Sequence, residues 1–168
     1  MPIPISRNCA PRERNSCNRR MPKHTAVRVV PYAQQRIFDA MMDIEKYPDV
    51  LRFIKSLKIT DRSEDSLTAR VAVGIGPLSF SYTCLITALP HSVIEVTAVK
   101  GPFKNLYAKW DFKPVSDSET EVTCFLDAEF QSRMMEMAGG QIFAHQFQNA
   151  VAVFERYLKR QDRRKRTN

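Results

Sequence analysis

The stretch "DIEKYPDVLRFIK", residues 43–55, decides how this chain folds. Upstream of it Ile37, Phe38, Met41, Met42 and Ile44 recur mostly at three- and four-residue steps, the spacing of an amphipathic helix over residues 33–46. Proline disfavours helical geometry in the residue before it, so that helix ends at Tyr47-Pro48. Proline also suits the first turn of a new helix. Asp49 to Phe53 therefore reads as a second, short helix lying across the first, with Val50, Leu51 and Phe53 facing inward. From residue 54 the apolar period changes to two, the signature of strands.

Working outward, "HTAVRVV" (24–30) alternates around Val27 and Val29 and predicts a first strand stopped by Pro31. "LKITDRSEDSLTARVAVGIG" (57–76) predicts two strands around a polar turn, with Leu67, Ala69, Val71, Val73 and Ile75 on one face. "LSFSYTCLITAL" (78–89) puts Phe80, Tyr82, Cys84 and Ile86 on one side, and "SVIEVTAV" (92–99) is a further strand broken at Gly101-Pro102. "NLYAKWDFKP" (105–114) aligns Leu106, Ala108, Trp110 and Phe112, and "EVTCFLDAEF" (121–130) aligns Val122, Cys124, Leu126, Ala128 and Phe130. A last helix spans about Ser132 to Lys159, where Phe143, Phe147, Ala150, Val151, Phe154, Tyr157 and Leu158 form a wide apolar stripe. Gly139-Gly140 interrupts its start, which makes the Met-rich turn 134–138 a separate segment. The order predicts an α+β fold: about seven mostly antiparallel strands in a curved sheet around a long C-terminal helix, with an elongated space between them.

A chain of 168 residues that is 43% hydrophobic fits one domain with a single core. Its formal charge of +8 sits at the two ends. Residues 1–23 and 159–168 carry +5 each, so +8 less +5 at either end leaves −2 for the residues between. The predicted organisation is a basic extension over 1–22, disordered or mis-assigned, a domain over 23–160 and a basic tail over 161–168. The extension shares the Arg-rich character of a mitochondrial transit peptide, but Pro2, Pro4 and Pro11 oppose the helix such peptides form, and Met21 reads as the functional start. Cys9, Cys17, Cys84 and Cys124 form no Cys-x-x-Cys pair, which fits a reducing compartment. No stretch approaches the roughly 18 apolar residues that span a bilayer.

Chemistry is hard to find in the pattern. His24, His91 and His145 fall on a strand, a turn and a helix, so no metal site is expected, and His145 faces solvent. No nucleophile elbow, P-loop or dinucleotide fingerprint occurs. Asp127 and Glu129 belong to the outer face of their strand, and Arg133 and Glu136 are spaced to pair on a helix surface. No catalytic residue is assigned and enzyme activity is not expected. What remains is bulk facing inward: Phe80, Tyr82, Trp110, Phe112, Phe130, Phe143, Phe147 and Phe154, with Met41, Met134 and Met137. The pattern serves first a filled core, and second a surface that re-packs around a flexible apolar guest.

"VRVVPYAQQRIFDAMMDIEKYPDVLRFI" (27–54), with Pro31-Tyr32, Phe38-Asp39 and Asp43-Ile44-Glu45-Lys46-Tyr47-Pro48, resembles the opening of the coenzyme Q-binding protein family, within the polyketide cyclase/START-like superfamily. "VGIGPLSFSYTC" (73–84), "GPFKNLYAKWDFKP" (101–114) and "VAVFERYLKR" (151–160) are similar as well, and the likeness covers about residues 21–160. Where that family often has Pro-Trp after the Tyr-Pro helix, this chain has Arg52-Phe53.

The resemblance implies a helix-grip fold enclosing a tunnel for ubiquinone or a related polyprenyl lipid, with no required cofactor. It implies a carrier that supports respiration beside the inner membrane of a bacterium, in the cytoplasm, or on the matrix side of a mitochondrion. On that reading Phe80, Tyr82, Trp110, Phe112, Phe130, Phe143, Phe147 and Val151 form the wall, and Phe38, Met41, Tyr47, Pro48, Val50 and Phe53 the rim. Lys159, Arg160, Arg163, Arg164, Lys165 and Arg166 would meet anionic lipid headgroups. The resemblance overlaps a second family, the bacterial ribosome-association toxins, for which the same basic residues would meet rRNA phosphates.

Overall fold

The computed structural model describes residues 23–167. The chain runs β1 (His24–Val30), α1 (Gln34–Met42), a 3-10 turn (Ile44–Lys46) and α2 (Tyr47–Val50). Six strands follow: β2 (Ile54–Arg62), β3 (Ser66–Ile75), β4 (Leu78–Leu89), β5 (Val93–Lys100), β6 (Phe103–Ser116) and β7 (Glu119–Phe130). Three helices close the chain, α3 (Arg133–Met135), α4 (Gln141–Gln148) and α5 (Ala150–Arg166), with a π turn over Glu136–Gly140. All seven strands share one antiparallel sheet in the order β1-β7-β6-β5-β4-β3-β2. The expected fold class is the observed one.

Alternation explains the two layers. On β3, β6 and β7 every second residue is buried, and the buried set is the predicted one, from Leu67 to Ile75, Leu106 to Phe112 and Val122 to Phe130. α4 and α5 cover that face with Phe143, Phe147, Val151, Phe154 and Leu158. Two glycines sit where a side chain could not. Gly101 holds a φ of +142° in the β5–β6 turn, and a Cβ there would lie 2.5 Å from the Cβ of Tyr82. A Cβ on Gly139, in the π turn, would strike Leu78.

β1 leaves Val27 and Val29 exposed, and its Arg28 reaches α5, where both oxygens of buried Glu155 are engaged. Arg28 Nε donates to Glu155 Oε2 at 2.7 Å, and Lys159 Nζ donates to Oε1 at 2.5 Å. The last helix does not end near Lys159 but continues to Arg166, and Asp162 accepts hydrogen bonds from Arg36 and Tyr32. Residues 161–166 are thus helical, with 163–166 exposed, while the predicted extension over 1–22 lies outside the described residues. Met134 and Met137, expected inside, are 77% and 81% exposed, because the π turn buries the two glycines instead. Glu136 does not serve Arg133; its Oε2 accepts the Phe130 N–H at 3.1 Å.

Burial pushes the Glu155 carboxyl up, but its hydrogen bonds from Lys159 and Arg28 outweigh that and hold it below its usual value of 4.5. A depressed folded-state pKa means that this stabilisation is complete above about 4.5 and disappears as pH falls through the folded value. Glu155→Gln is expected to cost about 1–2 kcal/mol at pH 7. The cost should shrink towards pH 3, as read by urea denaturation at the two pH values.

Candidate functional site

The chain corner at residues 43–53 corrects the expected bounds: the first helix ends at Met42 rather than at residue 46, and the second covers Tyr47–Val50 rather than residues 49–53. Asp39 O accepts the Asp43 N–H that ends α1, and Pro48 starts α2. Tyr47 then turns back, its hydroxyl donating to the Met41 carbonyl at 2.6 Å and its ring lying 5.2 Å from that of Phe154. The corner thereby roofs the gap that the C-terminal helices leave over β2–β6.

Beneath the roof is an apolar cavity of about 40 Å³. Met41, Ile44, Tyr47, Leu51 and Phe53 line it from above, Phe147, Ala150 and Phe154 from the helices, and Leu57, Val71, Tyr82, Cys84, Ile86, Ile94, Val96 and Trp110 from the sheet. The volume holds a few water-sized spheres. No charged side chain lines it. Burial pushes the Cys84 thiol up to about 12 and raises the Tyr47 and Tyr82 hydroxyls further, so all three stay protonated at neutral pH. Trp110 stacks on Phe147, ring centres 4.8 Å apart, and its Nε1 has no hydrogen-bond partner.

Of the residues predicted for wall and rim, Met41, Tyr47, Phe53, Tyr82, Trp110 and Phe147 meet at this cavity. The rest do other work. Phe80, Phe130 and Phe143 join Phe103 in an aromatic plug, with Phe103 and Phe130 stacked at 4.6 Å, so the expected elongated space is filled at that end. Phe38 and Phe112 meet edge to face under α1, with His91 against Phe38. Val50 and Val151 are buried in the core, and Pro48 starts α2 without reaching the cavity. The aliphatic lining from Ile44, Leu51, Ile54, Leu57, Val71, Ile86, Ile94 and Val96 was not singled out from sequence, though the period-two pattern already placed Val71 and Ile86 inside.

A second feature lies just outside the corner. A groove of about 420 Å³ runs between α2 and α5, lined by Lys46, Asp49, Tyr157, Arg160, Gln161 and Arg164. Arg160 and Arg164 lie one turn apart on α5, and both are exposed, as are Lys159, Arg163, Lys165 and Arg166. Lys46 is added by the fold, since nothing in the sequence pattern ties it to the terminal helix. Among the described residues no group of three His, Cys, Asp or Glu side chains could hold a metal, and no helix is long and apolar enough to cross a membrane.

The sequence over residues 30–155 matches the profile of a known family. The chain belongs to the polyketide cyclase / dehydrase and lipid transport family. Among curated members, it is 30% identical to the ribosome association toxin RatA of Vibrio cholerae over 78% of this chain and 91% of that one. It is 28% identical to RatA of Escherichia coli, over 80% of this chain and 85% of that one. The mitochondrial coenzyme Q-binding protein COQ10 of Drosophila melanogaster is 27% identical, over 54% of this chain and 38% of that one. In fold it is similar to the Zhui aromatase/cyclase from Streptomyces, TM-score 0.70 at 15% identity, covering 82% and 95% of the two chains. The 18 kDa protein CC1736 of Caulobacter crescentus gives 0.69 at 22% identity, covering 84% and 99%.

Tyr47→Phe is expected to destabilise the chain by about 1 kcal/mol through loss of the bond to Met41. Hydrogen exchange should quicken at residues 44–53 and stay unchanged on β6 and β7. Cys84 and Cys124, both pushed up to about 12 by burial, should resist a thiol reagent at pH 8 until the chain unfolds, as read by peptide mapping.

Proposed function

We propose that this chain is a non-enzymatic carrier of a polyprenyl quinone of the ubiquinone class. The observation that carries the reading is the cavity, apolar on every wall and free of charged groups. Its ionisable groups stay protonated near neutral pH, so none serves as a base, which suits shielding a guest better than transforming it. Membership of a lipid-transport family and the likeness to COQ10 support the same reading. A volume of about 40 Å³ is far short of a polyprenyl chain, so loading requires the roof at 43–53 to lift and the cavity to widen. Affinity then comes from burying apolar surface at about 25 cal/mol per Å². The exposed basic face of α5 and the groove beside Lys46 would hold this opening against anionic headgroups, peripheral to the inner membrane of a bacterium or, in an organelle, on its matrix side.

A second reading is favoured by a different observation. The match to RatA spans most of those proteins' length, and the groove places Lys46, Arg160 and Arg164 where they could meet phosphates. On this reading the chain joins a ribosomal subunit and blocks subunit association, without a quinone.

Native mass spectrometry with organic extraction, on protein purified from its host at high salt, separates the two. The expected result is one polyprenyl quinone per chain, identified by its ultraviolet spectrum. Lipid-free protein that takes up no added quinone, yet sediments with ribosomal subunits in a manner lost between about 50 and 200 mM salt, would establish the second reading instead.

A further inference from the structure

Trp110 is the one tryptophan of the chain, at the middle of β6, with Ile94 and Cys124 as its cross-strand partners. It is 5% exposed, stacks on Phe147 and forms part of the cavity wall. Among the described residues its Nε1 is the one fully buried side-chain nitrogen or oxygen left without a hydrogen-bond partner. An indole N–H can only donate, and interiors rarely leave a donor unpaired because desolvation is then uncompensated. The side chains around it offer no ready acceptor. Ile94 and Phe147 have none, the Cys124 sulfur is a weak one, and the Cys84 thiol is directed at the Ala69 carbonyl. A single water would fit the volume, and with Trp110 the Tyr47 and Tyr82 hydroxyls are the polar groups of the lining that could hold it. The missing acceptor is therefore brought by an occupant, a guest oxygen or such a water.

We infer that, once the cavity widens on loading, Trp110 Nε1 anchors a neutral carbonyl or ether oxygen of the guest, so that the ligand binds with its oxygen-bearing ring innermost against β6 and its chain toward the Tyr47 corner. The inference rests on the carrier reading and adds the orientation and the class of headgroup. An anionic headgroup does not fit, because no cation lines the cavity to meet it. The headgroup is selected by one donated hydrogen bond, and the chain by area alone.

The test uses the full chain with two probes of equal chain length, decylubiquinone and the oxygen-free decylbenzene. Benzothienylalanine introduced at position 110 replaces the indole N–H by sulfur and keeps the shape. Decylubiquinone is expected to bind this variant about five- to tenfold more weakly than the natural chain, while decylbenzene binds both alike. Infrared difference spectra of the loaded natural chain should show one quinone carbonyl band shifted to lower frequency, with the shift absent in the variant. Equal quinone affinity and unshifted bands would overturn the anchor while leaving the carrier standing, and a water at Trp110 would give that result. Absence of decylubiquinone uptake by the natural chain would overturn the carrier reading and the anchor with it. If circular dichroism shows the variant misfolded, the carbonyl band of the natural chain decides alone.

Discussion

The structure depends on a mismatch of widths. Seven strands about 4.8 Å apart make a sheet nearly 30 Å across, whereas a helix with its side chains is about 10–12 Å wide. One helix cannot cover the apolar face of such a sheet. The sheet therefore curls around α4 and α5, and the remaining area falls to α1 and the 43–53 corner. The Tyr-Pro break is what lets one short run of chain cross that gap, because a continuous helix would have carried Ile44 to Phe53 off the sheet. The Glu155 cluster with Arg28 and Lys159 fixes the other side, tying the helix to the sheet's outermost strand.

What lies between these covers is divided by aromatic rings. The stacked Phe103–Phe130 pair, with Phe80 and Phe143, packs the end near the β3–β4 turn as tightly as any core. Near Tyr47 the lining turns aliphatic and the packing stops short of filling the space. The roof there is held by the Tyr47 hydroxyl, by its ring against Phe154 and by the bond from the Gly74 N–H to the Phe53 carbonyl. The molecule is therefore filled at one end and hollow at the other, and the hollow end lies beside the basic groove.

The strands were legible because period two places a residue on a face whatever its partners are. β3, β6 and β7 followed the reading residue by residue. On β1 the alternation marked a strand without assigning its faces, and the partner that engages Arg28 lies 127 positions away. Met134 and Met137 misled for a related reason: whether a methionine is covered depends on how the π turn sets the glycines beside it. For the site, alternation showed which side chains face inward but not whether they meet a ring or a void. Phe80 and Trp110 looked alike in sequence, and one joins the plug while the other faces the cavity. Their difference arises from the distance between layers, which no single strand encodes.

The sheet is open, so β1 and β2 each leave one edge unpaired within the chain. An unpaired edge is a template for another strand, and β2 counters this in two ways. Its register is broken twice, between Ile54 and Ser56 and between Ile59 and Asp61, which twists the row of free backbone groups out of line. It also carries Lys55, Lys58, Asp61 and Arg62 as exposed charges along nine residues. A second copy approaching that edge would meet like charges and a ladder out of step. The strand that forms one wall of the cavity through Leu57 thus also resists the intermolecular pairing that a partly opened apolar pocket would otherwise invite.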